Sequence, residues 1–391
     1  MLWNTAPVRV LHAFGFFWDR KVSLVLTFIF LISHMTTHVL LLINMRQIKV
    51  NLTDACTIAL IELRAWHGIA RAFHILLNRR GIFDLVDFMN NSIDPNNKNF
   101  LAMETTIRLR TSRIIRKFCR VVFSYKFFSH IFFLLGFFSG IMKPERYVKG
   151  TIYNDQWRPL VYEVWWPWGD IHEFPNYYYM LPLQLLMHFV HNGINTIMDL
   201  FLGSLMFLVA EQATFLTNTA SRALRSGRRG QVTSSCRAWI RYHQYHLETI
   251  RHLNSELGQQ ILMTYASTAC QLMLATFLFR ELRHYPGTMI IHSIFVITPV
   301  LLHLLVFSMI GQRVINKEAS LTSTVLNTVE VSRGELGPCP VRYTLEVLRA
   351  RCAVARDYIN GLGVFTVSME FFTQTLSAAV SYFVVLIHLK T

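Results

Sequence analysis

Apolar residues run along this chain in long blocks separated by basic, turn-rich stretches, and that pattern predicts helices of membrane-spanning length. Val22 to Met45 contains no Asp, Glu, Lys or Arg. Further blocks lie at 121–142, 177–210, 261–279, 285–311 and 360–389. At about 1.5 Å per residue each reaches across a hydrocarbon core of about 30 Å. The 177–210 block is long enough to run past the membrane into water, and Pro299 predicts a kink in the 285–311 block. Residues 55–77 are different. They include Glu62, Arg64, His67, Arg71 and His74, and the last four recur at helical spacing on one face. In a soluble protein that is an ordinary amphipathic helix. As a membrane span it must bury the polar face in a bundle or in a wet cavity.

The last block is not uniformly apolar. After Asn360 only Glu370 is charged until Lys390. On a helix with Val385 as reference, Gln374 and Ala378 fall within about 20°, Ser381 and Leu389 within about 40°, and Glu370 and His388 within about 60°. One stripe therefore carries Glu370, Gln374, Ser381 and His388 and closes with Val385 and Leu389. Lipid tolerates such a stripe poorly. The pattern leaves two readings open: a last helix packing polar groups against its neighbours, or a pore-lining helix with an apolar gate at its outer end.

Composition agrees with a membrane protein. Of the 391 residues 52% are hydrophobic and 13% aromatic, and the mean hydropathy is positive. The formal charge of +15 would suggest nucleic acid in a soluble domain. Here the basic residues flank apolar blocks, which makes the partner a lipid bilayer and not a nucleic acid. Three Lys/Arg lie before the first block, and nine, seven and seven lie in the loops after blocks two, four and six, 26 in all. The alternate loops and the carboxyl end hold nine. The positive-inside rule then places the amino terminus in the cytoplasm and Thr391 outside. A G-protein-coupled receptor has the reverse topology, and the chain has neither D-R-Y after span three nor N-P-x-x-Y in span seven. Asn51-Leu52-Thr53 is a glycosylation sequon on the expected outer side. The basic regions at about 211–260 and 313–357 fall inside.

No enzyme signature is present: the chain lacks H-E-x-x-H, G-x-S-x-G and a Gly-rich phosphate loop. The six cysteines are scattered without a C-x-x-C, so neither zinc nor a disulfide framework is expected. His188 and His191, with Asp199 two turns on, fit core or cavity residues better than a metal site. No cofactor is implied, no cleaved signal peptide is evident, and no internal repeat suggests a transporter.

Ser381-Tyr382, five residues, then His388-Leu389-Lys390 resembles the C-terminal signature of the insect chemoreceptor superfamily, usually Thr-Tyr, five residues, then Gln-Phe or Gln-Leu. The upstream C-A-V-x-R-D-Y-x-x-G-L-G-x-F-x-V-S-M-E, from Cys352 to Glu370, resembles the end of an insect odorant receptor. Trp165-Trp166-Pro167-Trp168, followed by Pro175-Asn176-Tyr177 and Gln184, resembles the second extracellular loop of the same family. Ser381 and His388 are the departures.

The resemblance implies an all-α polytopic membrane protein of seven transmembrane helices, with residues 55–77 as the second span and a cytoplasmic anchor at about 211–260 and 313–357. It implies an odorant-gated cation channel in the plasma membrane of an olfactory neuron dendrite. It further implies a heterotetramer with a shared co-receptor subunit and no requirement for a G protein. Carried over position by position, Val385 and Leu389 match the gate and His388 the Gln that lines the constriction. The resemblance also brings spans two, three, four and six together around a pocket in the outer half. Span three offers Phe132, Phe133, Gly136, Phe137 and Gly140, where glycines beside rings leave room for a small ligand. Span four offers Tyr179, Leu183, Met187, His188 and His191, and span six Ile291, Ile294 and Phe295. The competing reading of each is plain core packing. Such a pocket suits a small, volatile, apolar odorant. A gustatory receptor, a homomeric tastant-gated channel, is the alternative, and its tail signature matches less well.

Overall fold

The computed structural model describes residues 52–90, 98–138, 174–225, 234–281, 287–335 and 357–388, with residues 346 and 350 and scattered helical positions between 32 and 43. Its helices are α1 (Leu52–Leu77), α2 (Arg79–Asn90), α3 (Lys98–Phe138), α4 (Asn176–Arg225), α5 (Ser234–Glu281), α6 (Gly287–Glu335) and α7 (Met369–His388). Strands β1 (Asn360–Gly361) and β2 (Phe365–Thr366) precede α7. Most of the first apolar block, Asn51, the Trp157–Trp168 region, Gly140, Leu389 and most of the 342–357 stretch lie outside the described residues.

The helices reach well beyond the apolar blocks. α4, α5 and α6 have 50, 48 and 49 residues, about 75 Å each at the α-helical rise. Among the described residues two stretches, Asn192–Ser221 and Thr298–Asn327, are long and apolar enough to cross a membrane. The polar extensions hold together because their apolar stripes face one another. In α2, Ile82, Leu85, Val86 and Met89 recur at i, i+3, i+4 and i+7, and all are buried. They join Phe201, Leu205 and Val209 of α4 and Ile250, Leu253 and Leu257 of α5 in one core. α3 attaches through a smaller cluster of Ile115, Cys119 and Leu200.

Several polar groups buried among these extensions are matched. The indole of Trp239, which is 1% exposed, donates to the Leu216 carbonyl at 3.2 Å. His246 sits between Gln212 Oε1 at 3.1 Å and Glu318 Oε1 at 2.9 Å. Tyr245 stacks on Phe88 at 4.6 Å and donates its hydroxyl to the Phe88 carbonyl at 2.7 Å. Burial pushes the Tyr242 and Tyr245 hydroxyls above the ordinary tyrosine range.

The final apolar block, expected to be helical from residue 360, begins instead with a hairpin. Asn360 pairs with Thr366 and Gly361 with Phe365. The turn needs left-handed backbone at Leu362 (φ 52°) and Gly363 (φ 74°), which glycine supplies without strain. The Asn360 side chain accepts from Gly363 N–H at 2.7 Å, closing the turn. Asn254 of α5 docks it, donating to the Tyr358 carbonyl at 2.8 Å and accepting from Asn360 N–H at 3.0 Å. Helix then starts where Ser368 caps it, its hydroxyl accepting from Phe371 N–H at 3.2 Å. Phe365 and Phe371 stack at 4.1 Å beside Tyr265, which locks hairpin, α7 and α5 together.

Candidate functional site

A cavity of ≈ 340 Å³ lies among five helices. α1 contributes Arg64 and His67; α3 contributes Phe118, Val121, Val122, Tyr125 and Lys126. From α4 come Asn195, Thr196, Asp199 and Leu200, and from α5 Thr268 and Gln271. α6 closes it with Pro299, Val300, Leu302, His303, Val306 and Phe307. Its size falls within the range of small-molecule sites, roughly 300–1,000 Å³.

The polar side of the cavity is built on the α1 face noted above. Arg71, with a fully buried side chain, donates from Nη1 to Asp199 Oδ1 across 128 residues of sequence. Its Nε and Nη2 have no hydrogen-bond partner among the described residues. His303 Nε2 lies 3.4 Å from the same carboxylate oxygen, within ion-pair range but without hydrogen-bond alignment. The His303 ring meets Phe307 edge-on at 4.3 Å. One turn further along α1, His74 contacts Gln259 Oε1 at 3.1 Å and the Glu256 carbonyl at 2.9 Å on α5. Gly68 lets α4 approach: a side chain there would meet the Asn195 amide at 2.7 Å. Outside the cavity, Glu62 is held by His38 Nδ1 at 2.7 Å and accepts from the Trp66 indole at 3.0 Å.

The candidate ligand residues lie farther along the same helices. Phe132, Phe133, Gly136 and Phe137 are on the last turns of α3; Met187, His188 and His191 are on α4; Ile291, Ile294 and Phe295 are on the first turns of α6. Tyr179 and Leu183, near the start of α4, are 73% and 43% exposed and do not reach the cavity. Sequence reasoning singled out Asp199 alone and missed its convergence with Lys126 and His303. A signal was present: charges inside apolar blocks on several helices, of opposite sign, ask for partners.

α7 packs one face on α5 and α6, with Ala379 2% exposed and Phe371 and Phe372 against the core. On its other side Glu370, Gln374, Ser381 and His388 are exposed, and Val385 is 54% exposed. Gln374 donates to Glu370 Oε1 at 3.3 Å, and His388 Nδ1 donates to the Val384 carbonyl at 2.8 Å. From Glu370 to His388 the stripe read from the sequence is thus exposed on this single chain.

A family model described as 7tm Odorant receptor matches residues 51–329. The fold is similar to the structure of the insect olfactory receptor OR5 from Machilis hrabei, with a TM-score of 0.71, 14% identity, and coverage of 95% of this chain and 90% of that one. It is similar also to the same receptor in complex with eugenol, with a TM-score of 0.74, 13% identity, and coverage of 95% and 91%. No curated protein matches the chain.

Proposed function

The chain belongs to the 7tm odorant receptor family, and we propose that within it the chain works as an odorant-specific subunit of a ligand-gated, non-selective cation channel. The observation that carries this is the exposed stripe of α7. A helix that packs one face and leaves uncovered a stripe of carboxylate, amide, hydroxyl and imidazole groups suits a shared, water-filled axis. Lipid suits it badly. Four subunits around that axis would set Val385 and Leu389 as apolar rings and His388 beside them. The remaining subunits of the heterotetramer would be the co-receptor. Seven spans, a cytoplasmic amino terminus, an extracellular carboxyl terminus and a plasma-membrane location in the sensory dendrite complete the proposal. The extensions around 211–260 and 313–357 form its cytoplasmic anchor.

The ligand enters this scheme through the bundle. Helical rise puts His191 roughly 6 Å along α4 from Asn195, and Phe295 roughly 6 Å along α6 from Pro299. Phe132 to Phe137 begin roughly 9 Å along α3 from Lys126. The cavity and the outer candidates therefore occupy neighbouring levels of the same helices, and a small volatile molecule bound between them would push on α6, next to α7.

Expression with and without the co-receptor, with currents recorded to a volatile panel, tests the channel assignment. Odorant-evoked cation currents are expected only with both subunits. Absence of current in every combination, at confirmed surface expression, would sink it, and robust currents from this chain alone would remove the need for a partner. For the gate, Val385→Ala removes an apolar ring and should raise the ligand-free leak. An unchanged leak with intact odorant currents would move the gate elsewhere.

A further inference from the structure

The cavity is lopsided in charge. Asp199 is the only carboxylate in its wall among the described residues, and Arg71 already holds it, with His303 facing it. Arg64, Lys126 and His67 stand in the same wall. No hydrogen bond or ion pair reaches the Lys126 ammonium among the described residues. His67 Nε2 is buried and likewise has no hydrogen-bond partner among them. The rest of the lining is apolar, supplied by Val121, Val122, Leu200, Val300, Val306 and Phe307. The opposite charge that acts on Lys126 is Asp199, which Arg71 and His303 already share, so an amine in such surroundings keeps a standing electrostatic cost. A ligand that brings a carboxylate removes that cost, and a carboxylic acid brings its own proton, so acid and amine reach the same ion pair whichever carried it. A cationic ligand meets repulsion, and an ester or alcohol leaves that cost in place.

Taking the cavity as the place where the opening ligand sits, which rests on the function proposed above, we propose that it selects small monocarboxylic acids. The carboxylate binds Lys126 and His67, with Arg64 alongside, and the hydrocarbon body lies against the apolar wall. At about 30 Å³ per water-sized group, a space of ≈ 340 Å³ holds roughly ten non-hydrogen atoms. Medium-chain acids match that size.

The full chain, co-expressed with the co-receptor, is challenged with octanoic acid, methyl octanoate and 1-octanol. Octanoic acid should be the most potent. Lys126→Met should raise its half-maximal concentration by about tenfold to a hundredfold, the worth of one charge-assisted hydrogen bond, and leave the responses to ester and alcohol in place. Lys126→Arg should keep the acid response. Surface labelling checks each variant, with Lys126→Gln as a second neutral substitution. A channel opened by the ester or alcohol and not by the acid overturns the head-group assignment, as does an equal loss for all three ligands in the neutral variants. A thermal-unfolding shift of the purified full chain with octanoic acid separates this from channel function. A shift lost in Lys126→Met upholds the site even if no volatile opens the channel, which would overturn only the channel assignment. No shift, together with no acid-evoked current, overturns the site.

Discussion

Asp199→Ala is expected to remove most of the protein from the cell surface. Arg71 sits inside the bundle with no exposed side-chain surface and donates to Asp199. Its other two nitrogens have no hydrogen-bond partner among the described residues. Without the carboxylate the guanidinium is a buried, uncompensated charge, and breaking such a pair costs about 3–5 kcal/mol. That is a large part of a typical folding free energy of about 5–15 kcal/mol. Asp199 is 24% accessible, through the cavity, so water offsets some of its own loss but none of Arg71's. Removing both partners, as Arg71→Met with Asp199→Leu, should recover much of the surface protein, since a well-packed apolar pair often replaces a buried ion pair at little cost. Surface labelling and the unfolding midpoint in detergent give the measurement. Wild-type values for Asp199→Ala alone would mean that the ion pair does not hold α1 to α4.

Gly311→Val should be at least as damaging, by a steric route. A Cβ at Gly311 would lie closer to the Val367 carbonyl oxygen than any real carbon–oxygen contact, and 2.7 Å from Val367 Cγ1. Val367 cannot retreat. It is fully buried, its N–H donates to the Ile359 carbonyl at 2.9 Å, and Gln312 next door accepts from Met369 N–H at 3.2 Å. Any side chain therefore pries α6 from the hairpin and from the start of α7. Overpacking costs about 1–3 kcal/mol when side chains can shift, and backbone shifts less readily. Gly311→Ala should lower the unfolding midpoint, and Gly311→Val should abolish both folded protein and odorant current. Gly193, in α4, is the control: nothing lies within 4 Å of its added Cβ, so Gly193→Ala should be neutral. Equal midpoints for Gly311→Ala and Gly193→Ala would refute the close approach.

Both predictions concern contacts between residues far apart in the chain, and that separates what was legible in the sequence from what was not. The α1 face of Arg64, His67, Arg71 and His74 was legible because helical periodicity is local: spacing alone puts those side chains on one side of a cylinder. The same holds for Glu370, Gln374, Ser381, Val385 and His388 on α7, which angles along a single helix place on one stripe. The family, too, was written in a short carboxyl-terminal signature. Periodicity says nothing about where a face points. Asp199, His303 and Lys126 meet Arg64 and His67 in one cavity only because α1, α3, α4 and α6 take one particular rotation and register. Close backbone approaches such as Gly68 against Asn195 fix that register. The start of the last helix was missed for a related reason. Hydropathy cannot tell a short apolar hairpin from the first turns of a helix, and the hairpin is held by Asn254, more than 100 residues earlier in the chain. Apolar runs and helical spacing thus set the elements and their polar faces. Packing of distant surfaces decided which charges share a cavity, because the energy that orients one helix lies in the neighbour it touches.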